Sequence, residues 1–400
     1  MNKISTGRRD FLKQAGLMAP VAIMAGLPEG AMALGGAHGR AVEDAVLPTQ
    51  AEEAPKYHIK FAVCGMSHDH IYNLVAAVQR GGGELVAAWG GEEDKLAAFK
   101  KRFPGVKIAK AQDEILDDPS VQLVLSSQIA NERAALGVRA MERGKDYLAD
   151  KPGITTLEQL AEVRRTIAET KRIYAIYYGL LEEKAAVYAG TLIQQGAMGK
   201  VIQTINIAPH QIVQGRGDAG GGSGRPEWFW NPDQFGGILC DLGSHQADQF
   251  LFYTGSKQAE IVESQMANVR HPNHPRFQDF GDMVLRGDRG LGYARVDWFS
   301  PKGLGTWGDG RVFILGTDGY IEVRGDTDVG VKSQGNNLFI VDSKQPRYID
   351  CSNVPLPFGP QLVADIVNRT HLAQDQERCL LAAELVIKAQ RNAKLVTLKD

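Results

Sequence analysis

The sequence predicts an α/β protein: a doubly wound parallel sheet followed by an α+β domain with a large, open, mostly antiparallel sheet. Three observations lead there. Short apolar strands alternate with helical periodicities from residue 58 to residue 169, the pattern of strands that pair in parallel through helical crossovers. Beyond Gly199 the segments become longer strands, as an antiparallel sheet requires. The chain of 400 residues has room for two domains and a targeting segment.

The first part of the chain reads as an address. Thr6-Gly7-Arg8-Arg9-Asp10-Phe11-Leu12-Lys13 is a twin-arginine signature, followed by an apolar stretch from Ala15 to Leu27 and by the small-x-small site Ala31-Met32-Ala33. That stretch, interrupted by Pro20, is shorter than the roughly 20 residues that span a bilayer, so no stable membrane anchor is expected. Residues 1–33 are therefore expected to be a signal peptide read by the twin-arginine export machinery, which delivers folded proteins to the periplasm. Residues 34–56 lack periodicity and read as a flexible arm.

Residues 57–178 are expected to form the first domain. Strands are predicted at His58–Cys64, Glu84–Trp89, Val106–Ala109, Val121–Ser126 and Asp146–Ala149. Helices are predicted at His70–Arg80, Asp94–Phe103, Asp113–Leu116, Asn131–Arg143 and Thr156–Glu169. In the second domain, 179–400, strands are predicted at Val201–Ala208, Ala259–Asn268, Phe280–Leu285, Leu291–Phe299, Arg311–Leu315 and Tyr320–Arg324, with a closing helix at Glu377–Asn392. A formal net charge of -2 with 23% charged residues gives no polyelectrolyte character, so nucleic acid is excluded as a partner. Cys64, Cys240, Cys351 and Cys379 form no CxxC pair, which argues against a metal knuckle or a disulfide scaffold.

After the first strand, a dinucleotide-binding fold of Rossmann type places G-x-G-x-x-G, and this chain has Gly65-Met66-Ser67-His68-Asp69-His70. Gly65, Met66, Ser67, His68 and His70 are the candidate cofactor-binding residues of that turn. Ser67 still permits close backbone approach, whereas His70 puts a ring where the fingerprint has glycine. The second strand runs into Gly90-Gly91-Glu92-Glu93, which leaves NAD and NADP both open. His68, Asp69 and His70 also suggest a metal. Adjacent residues at a turn seldom converge on one ion and no third distant ligand is marked by spacing, so they read as a pocket wall with no metal. His271 and His274 read as a polar loop. Asp150-Lys151-Pro152 ends the fifth parallel strand, at the edge where open α/β sheets bind ligands. The segment Gly236 to Asp248 enters a helix with Asp241 and His245 four apart, hence on one face. A histidine there supplies a base for an alcohol proton, and a nearby lysine stabilises the alkoxide.

Asp150-Lys151-Pro152 and the G-G-x-L-x-D-x-G-x-H-x-x-D pattern of Gly236 to Asp248 resemble the glucose-fructose oxidoreductase, inositol dehydrogenase and MocA family of two-domain oxidoreductases. The resemblance covers roughly residues 58 to 396. It implies that Lys151 polarises the reacting oxygen and also borders the cofactor, that Asp241 binds and orients the substrate, and that His245 is the acid/base. It further implies that Ser127 and Asn131 contact the nicotinamide edge, in place of the family's threonine-proline-asparagine stretch. Asp150 replaces the usual glutamate. Arg225, Trp228 and Trp230, after the glycine-rich stretch from Gly215, are candidate carbohydrate contacts, indole faces suiting the apolar faces of sugar rings.

These readings converge on an exported NAD- or NADP-dependent oxidoreductase of a sugar, polyol or glycoside. Free NAD is scarce outside the cytoplasm, so the cofactor is expected to stay tightly bound. Two alternatives remain: a redox-neutral glycosidase or lyase working through a transient keto-sugar, with His245 or Tyr178 moving the extra proton, and a binding protein that kept the fold without the chemistry. An open sheet face predicts a homo-oligomer, dimer or tetramer.

Overall fold

The computed structural model describes residues 45–46, 54–212, 225–330 and 333–398. The twin-arginine signature, its cleavage site, most of the expected arm and the glycine-rich stretch up to residue 224 lie outside the described residues.

Ile59–Cys64 forms the central strand of a six-stranded, fully parallel sheet. On one side it pairs with Gly83–Trp89, then Lys107–Ile108; on the other come Leu123–Ser126, Asp146–Asp150 and Tyr174–Tyr177. The strand order reverses beside Ile59–Cys64, so the crevice for a ligand opens at its carboxyl end, after Cys64. These strands are almost continuously apolar because helices cover both faces. Phe61 and Val63 pack with Leu74 and Val78 of the helix Ile71–Arg80, while Ala62 and Cys64 face the opposite layer with Tyr147 and Ile176.

The second sheet has ten strands. Its centre is Val201–Pro209, antiparallel to Arg311–Gly316 on one side and parallel to Leu291–Asp297 on the other. The sheet is mostly antiparallel, with two further parallel pairings at its ends. One of them involves Ala45–Val46, two residues of the stretch read as a flexible arm, which pair beside Ile349–Asp350. Thr204, Asn206 and Ala208 are buried on the inner face of the central strand, and Asn206 donates to Gln249 of the helix Gly243–Thr254 at 2.7 Å. That contact seats this helix on the sheet.

One apolar core joins the two sheets. It runs from Ala149 and Ile176 through Ile238, Leu239 and Val386 to Met283 and Val296. The closing helix Gln376–Asn392 lies inside this core, and its residues Leu385 and Val386 are buried. The chain also returns to the first sheet. The helix Phe358–Asn368, with no counterpart among the predicted elements, lays Leu362, Val363 and Ile366 against the helix Ile71–Arg80. Gly359 permits that contact, since a Cβ there would lie 1.8 Å from the Ala77 carbonyl oxygen.

Candidate active site

Lys151 leaves the carboxyl end of Asp146–Asp150 in a turn whose shape is set from beneath by Arg133. This arginine is 1% exposed. It donates to the carbonyls of Gln128 (2.7 Å), Lys151 (2.5 Å) and Pro152 (3.2 Å), and its guanidinium lies 3.1 Å from the Asp150 carboxylate. With its backbone so held, the Lys151 side chain crosses to the second domain and donates to Asp241 Oδ1 at 2.7 Å. Asp241 ends the helical turn Ile238–Asp241, Leu242 continues in helical conformation, and Gly243–Thr254 follows. Asp241 and His245 therefore stand one turn apart and border the same cavity of about 480 Å³. The cleft brings Lys151, Asp241 and His245 together, Asp241 and His245 by their four-residue spacing and Lys151 from the first domain.

His245 is not oriented by Asp241, whose carboxylate is given to Lys151. Its Nδ1 has no hydrogen-bond partner among the described residues. Burial, then the positive charge of Lys151 and the nearby His70 and His210, hold its pKa well below the ordinary histidine value. The ring is thus uncharged at neutral pH and available as a proton acceptor. His210 borders the same cavity, and burial followed by Lys151 pushes its pKa down to about 4.

At the other wall lies the glycine turn. Gly65 has φ +90, and a Cβ there would meet Gln128 Cβ at 2.5 Å; only glycine fits. The Met66 side chain is 2% exposed and packs in the first-domain core, so only its backbone is available to a ligand. The Ser67 hydroxyl donates to Glu92 at 2.6 Å, which brings an acidic group from the end of the second strand to the turn. Lys95 secures the same residue through its carbonyl at 2.7 Å. Ser127 lies beside the turn, its N–H donating to the Gly65 carbonyl at 3.1 Å and its carbonyl accepting from the His68 N–H at 2.9 Å, and Ser127 Oγ and Asn131 Oδ1 are buried without partners among the described residues. Unpaired buried polar atoms of this kind suit hydrogen bonds to a nicotinamide nucleotide.

His68 and His70 both border the cavity. Each places Nδ1 2.9 Å from one oxygen of Asp150, which is fully buried. Spacing marked no third residue, yet Asp150, 80 residues away from His70, reaches both rings. Burial opposes its charge, but Arg133, His70 and His68 together hold its carboxyl well below the usual range.

Of the carbohydrate candidates, Arg225 and Trp228 border the cavity. Trp230 is corrected. It stacks on His274 at 4.0 Å and packs against Phe277, outside the cavity lining. Trp298 and Trp307 take its place, with the Arg225 guanidinium 5.2 and 5.1 Å from their rings. Tyr178 is corrected as a proton carrier, since its buried hydroxyl donates to the Cys379 carbonyl at 3.2 Å. Glu183 and Asp326, both in the lining, carry no sequence motif that would have marked them. Burial, then Asp326, pushes Glu183 up to about 8. A larger cavity of about 640 Å³, lined by Tyr178, Phe252 and Arg378 among others, includes none of the three candidate catalytic side chains.

Comparison with known proteins identifies the family. Residues 59–178 match the model of the oxidoreductase family with an NAD-binding Rossmann fold, and residues 187–322 match that of the GFO/IDH/MocA C-terminal domain. A solved putative oxidoreductase from Erwinia carotovora atroseptica is 40% identical, with a TM-score of 0.80 over 85% of this chain and 100% of that one. The scyllo-inositol 2-dehydrogenase (NAD(+)) of Bacillus subtilis is 23% identical over 73% of this chain and 82% of its own. The D-xylose dehydrogenase of Paenarthrobacter nicotinovorans is 22% identical over 39% of each, so the match spans less than half of that relative's length. With both domain models matched in order around a cleft that brings Lys151, Asp241 and His245 together, the chain belongs to the Gfo/Idh/MocA family of NAD(P)-dependent oxidoreductases.

Proposed function

We propose that this enzyme is exported and oxidises or reduces a hydroxyl-bearing carbon of a sugar, polyol or glycoside while retaining its nicotinamide cofactor. The observation that carries the reading is the Lys151–Asp241 pair beside an uncharged His245, in a cleft walled on one side by the glycine turn and on the other by indoles. Export rests on the twin-arginine segment alone. Gly65, Ser127 and Asn131 would hold the nucleotide, and the bound nicotinamide supplies hydride transfer to and from the substrate carbon. Lys151 places a positive charge against the reacting oxygen, so an alkoxide developing there is stabilised. Asp241 holds that ammonium in place and offers a carboxylate oxygen to a neighbouring hydroxyl. His245 accepts the hydroxyl proton in oxidation and returns it in reduction. Trp228, Trp298 and Trp307 offer apolar faces to a ring, with Arg225 at their edges.

A redox-neutral elimination is the second reading. Glu183 favours it, because a carboxyl held near pH 8 is still protonated at neutral pH and is a second proton donor in the cleft. A purely binding role would leave the Lys151, Asp241 and His245 arrangement unused. The outer face of the ten-stranded sheet carries the cross-strand pairs Phe313–Tyr320 and Phe339–Tyr348, with Val284 and Leu291 exposed. A second copy covering that face gives a dimer or tetramer, which light scattering measures.

The test is to denature the purified exported form and assay the supernatant for NAD(H) and NADP(H). Absence of nucleotide, with no affinity for added nucleotide, overturns both catalytic readings. Incubation with free sugar pairs and with aryl glycosides then separates coupled oxidation from elimination.

A further inference from the structure

We propose that His68, His70 and Asp150 form a site for one divalent transition-metal ion in the wall of the cleft. Among the described residues they are the one group of three or more such side chains whose ligand atoms converge, all lying within 4.8 Å of one another. The two Nδ1 atoms are each 2.9 Å from a different oxygen of the same carboxylate. Two donors about 2.1 Å from one ion at a right angle are separated by about 3.0 Å, so this spacing suits adjacent positions around a single ion. The rings are 4.1 Å apart between centroids and inclined by 70°, which lets both point at one carboxylate without stacking. His68 and His70 are separated by one residue in the turn that leads into the helix Ile71–Arg80.

The surroundings distinguish this cluster from an ordinary histidine–aspartate hydrogen bond. His271 also meets a buried aspartate, Asp279, at 2.8 Å, but there a single ring is involved. Asp150 is clamped from the side of the protein by Arg133, whose guanidinium is itself fixed by three backbone carbonyls. An outer partner of that kind orients a ligating carboxylate, while its positive charge moderates the affinity for a cation. The histidine side chains are 16% and 35% exposed, whereas Asp150 is fully buried, so an ion enters from the cleft and keeps open positions toward it. Two imidazoles and one carboxylate favour Zn²⁺, Fe²⁺ or Co²⁺ over Ca²⁺ and Mg²⁺. Lys151 lines the same cavity as His68 and His70, so an ion held there would lie in the cleft that receives the substrate. That consequence rests on the oxidoreductase reading; the site itself does not.

The test uses full-length protein purified without a polyhistidine tag, freed of metal with a chelator and titrated with Co²⁺. Visible d–d absorption and elemental analysis are the readouts, and nucleotide content is measured in the same samples. The expected result is one Co²⁺ per chain, displaced by Zn²⁺, with affinity falling at least about 100-fold in both His68→Ala and His70→Ala. The fold of each variant is checked by circular dichroism, and His271→Ala is expected to bind as the wild type does. Absence of stoichiometric uptake in the wild type, or unchanged affinity in both variants, overturns the site. Nucleotide with no metal overturns the site and leaves the oxidoreductase reading intact. Metal with no nucleotide supports the site and counts against a retained cofactor.

Discussion

Replacing Lys151 by methionine tests whether the pair at the centre of the cleft is catalytic or merely structural. At 2.7 Å two unit charges attract by about 6 kcal/mol at an effective dielectric constant of about 20. Desolvation offsets much of that attraction. Lys151 is 6% exposed and Asp241 16%, so Lys151→Met leaves a carboxylate that water reaches only in part. The expected loss of stability is about 3 kcal/mol, the low end for a broken buried pair. Adding Asp241→Asn removes the stranded charge and is expected to restore about 1–2 kcal/mol. Catalysis should not follow stability. Loss of the cation facing the developing alkoxide is expected to lower kcat about 100- to 1,000-fold, as for one oxyanion donor, and the second substitution restores none of it. Urea unfolding and single-turnover fluorescence of the bound nucleotide read the two effects separately. A double variant within about tenfold of wild-type rate, or Lys151→Met within threefold, would refute the assignment of Lys151 to the reacting oxygen.

Three further outcomes follow from the cleft. Burial and Asp326 raise Glu183 from 4.5 to about 8; stability from this neutral carboxyl is present below about pH 4.5 and is lost as the pH rises through 8. A shift of that size corresponds to at most about 5 kcal/mol, and relaxation with water entry reduces it to about 1–3. The melting temperature of the wild type should fall between pH 6 and 9 more steeply than that of Glu183→Gln; parallel curves would show the carboxyl already ionised. Because burial and Lys151 depress His245, the acid limb of kcat/KM should lie well below the ordinary histidine value of about 6.5. A limb centred there would exclude His245 as the base, whereas His245→Ala is expected to cost about 100- to 10,000-fold with nucleotide still bound. Gly65→Ala forces a Cβ to within 2.5 Å of Gln128 at φ +90, an expected cost of about 2–3 kcal/mol in thermal unfolding and loss of retained nucleotide.

The parts legible in the sequence are those with a local signature. Strands such as Ile59–Cys64 and Leu291–Asp297 announce themselves by period and composition, and their ends agree within two residues of the expected ones. The four-residue spacing of Asp241 and His245 determines a shared face in any helix. Other features depended on distant partners. Tyr174–Tyr177 is four residues long, too short for its apolar run to be told from a loop. Phe358–Asn368 is helical because Leu362 and Ile366 find the first domain's core, almost 300 residues earlier in the chain. Trp228 and Trp230 are chemically alike and two residues apart, yet His274 and Phe277 claim the second ring. No reading of a WFW triplet alone decides which indole faces the cleft.

The departures of the turn from its fingerprint are better understood as one change than as several. His70, standing where the fingerprint has its third glycine, holds its ring 2.9 Å from Asp150 on the wall of the cleft. Asp150, in turn, stands where the resemblance expects glutamate. One methylene longer, that carboxylate would extend into the space the two imidazoles occupy. Aspartate instead keeps it beneath them, with Arg133 behind. Each substitution alone would leave either a ring without a partner or a buried carboxylate with one hydrogen-bond partner fewer. Made together they exchange a bare glycine turn for a buffered cluster of two imidazoles, one carboxylate and one guanidinium at the edge of the reacting centre. After burial and Lys151, His70 lowers and Asp150 raises the pKa of His245, so the altered turn and the basicity of the candidate proton acceptor are physically coupled.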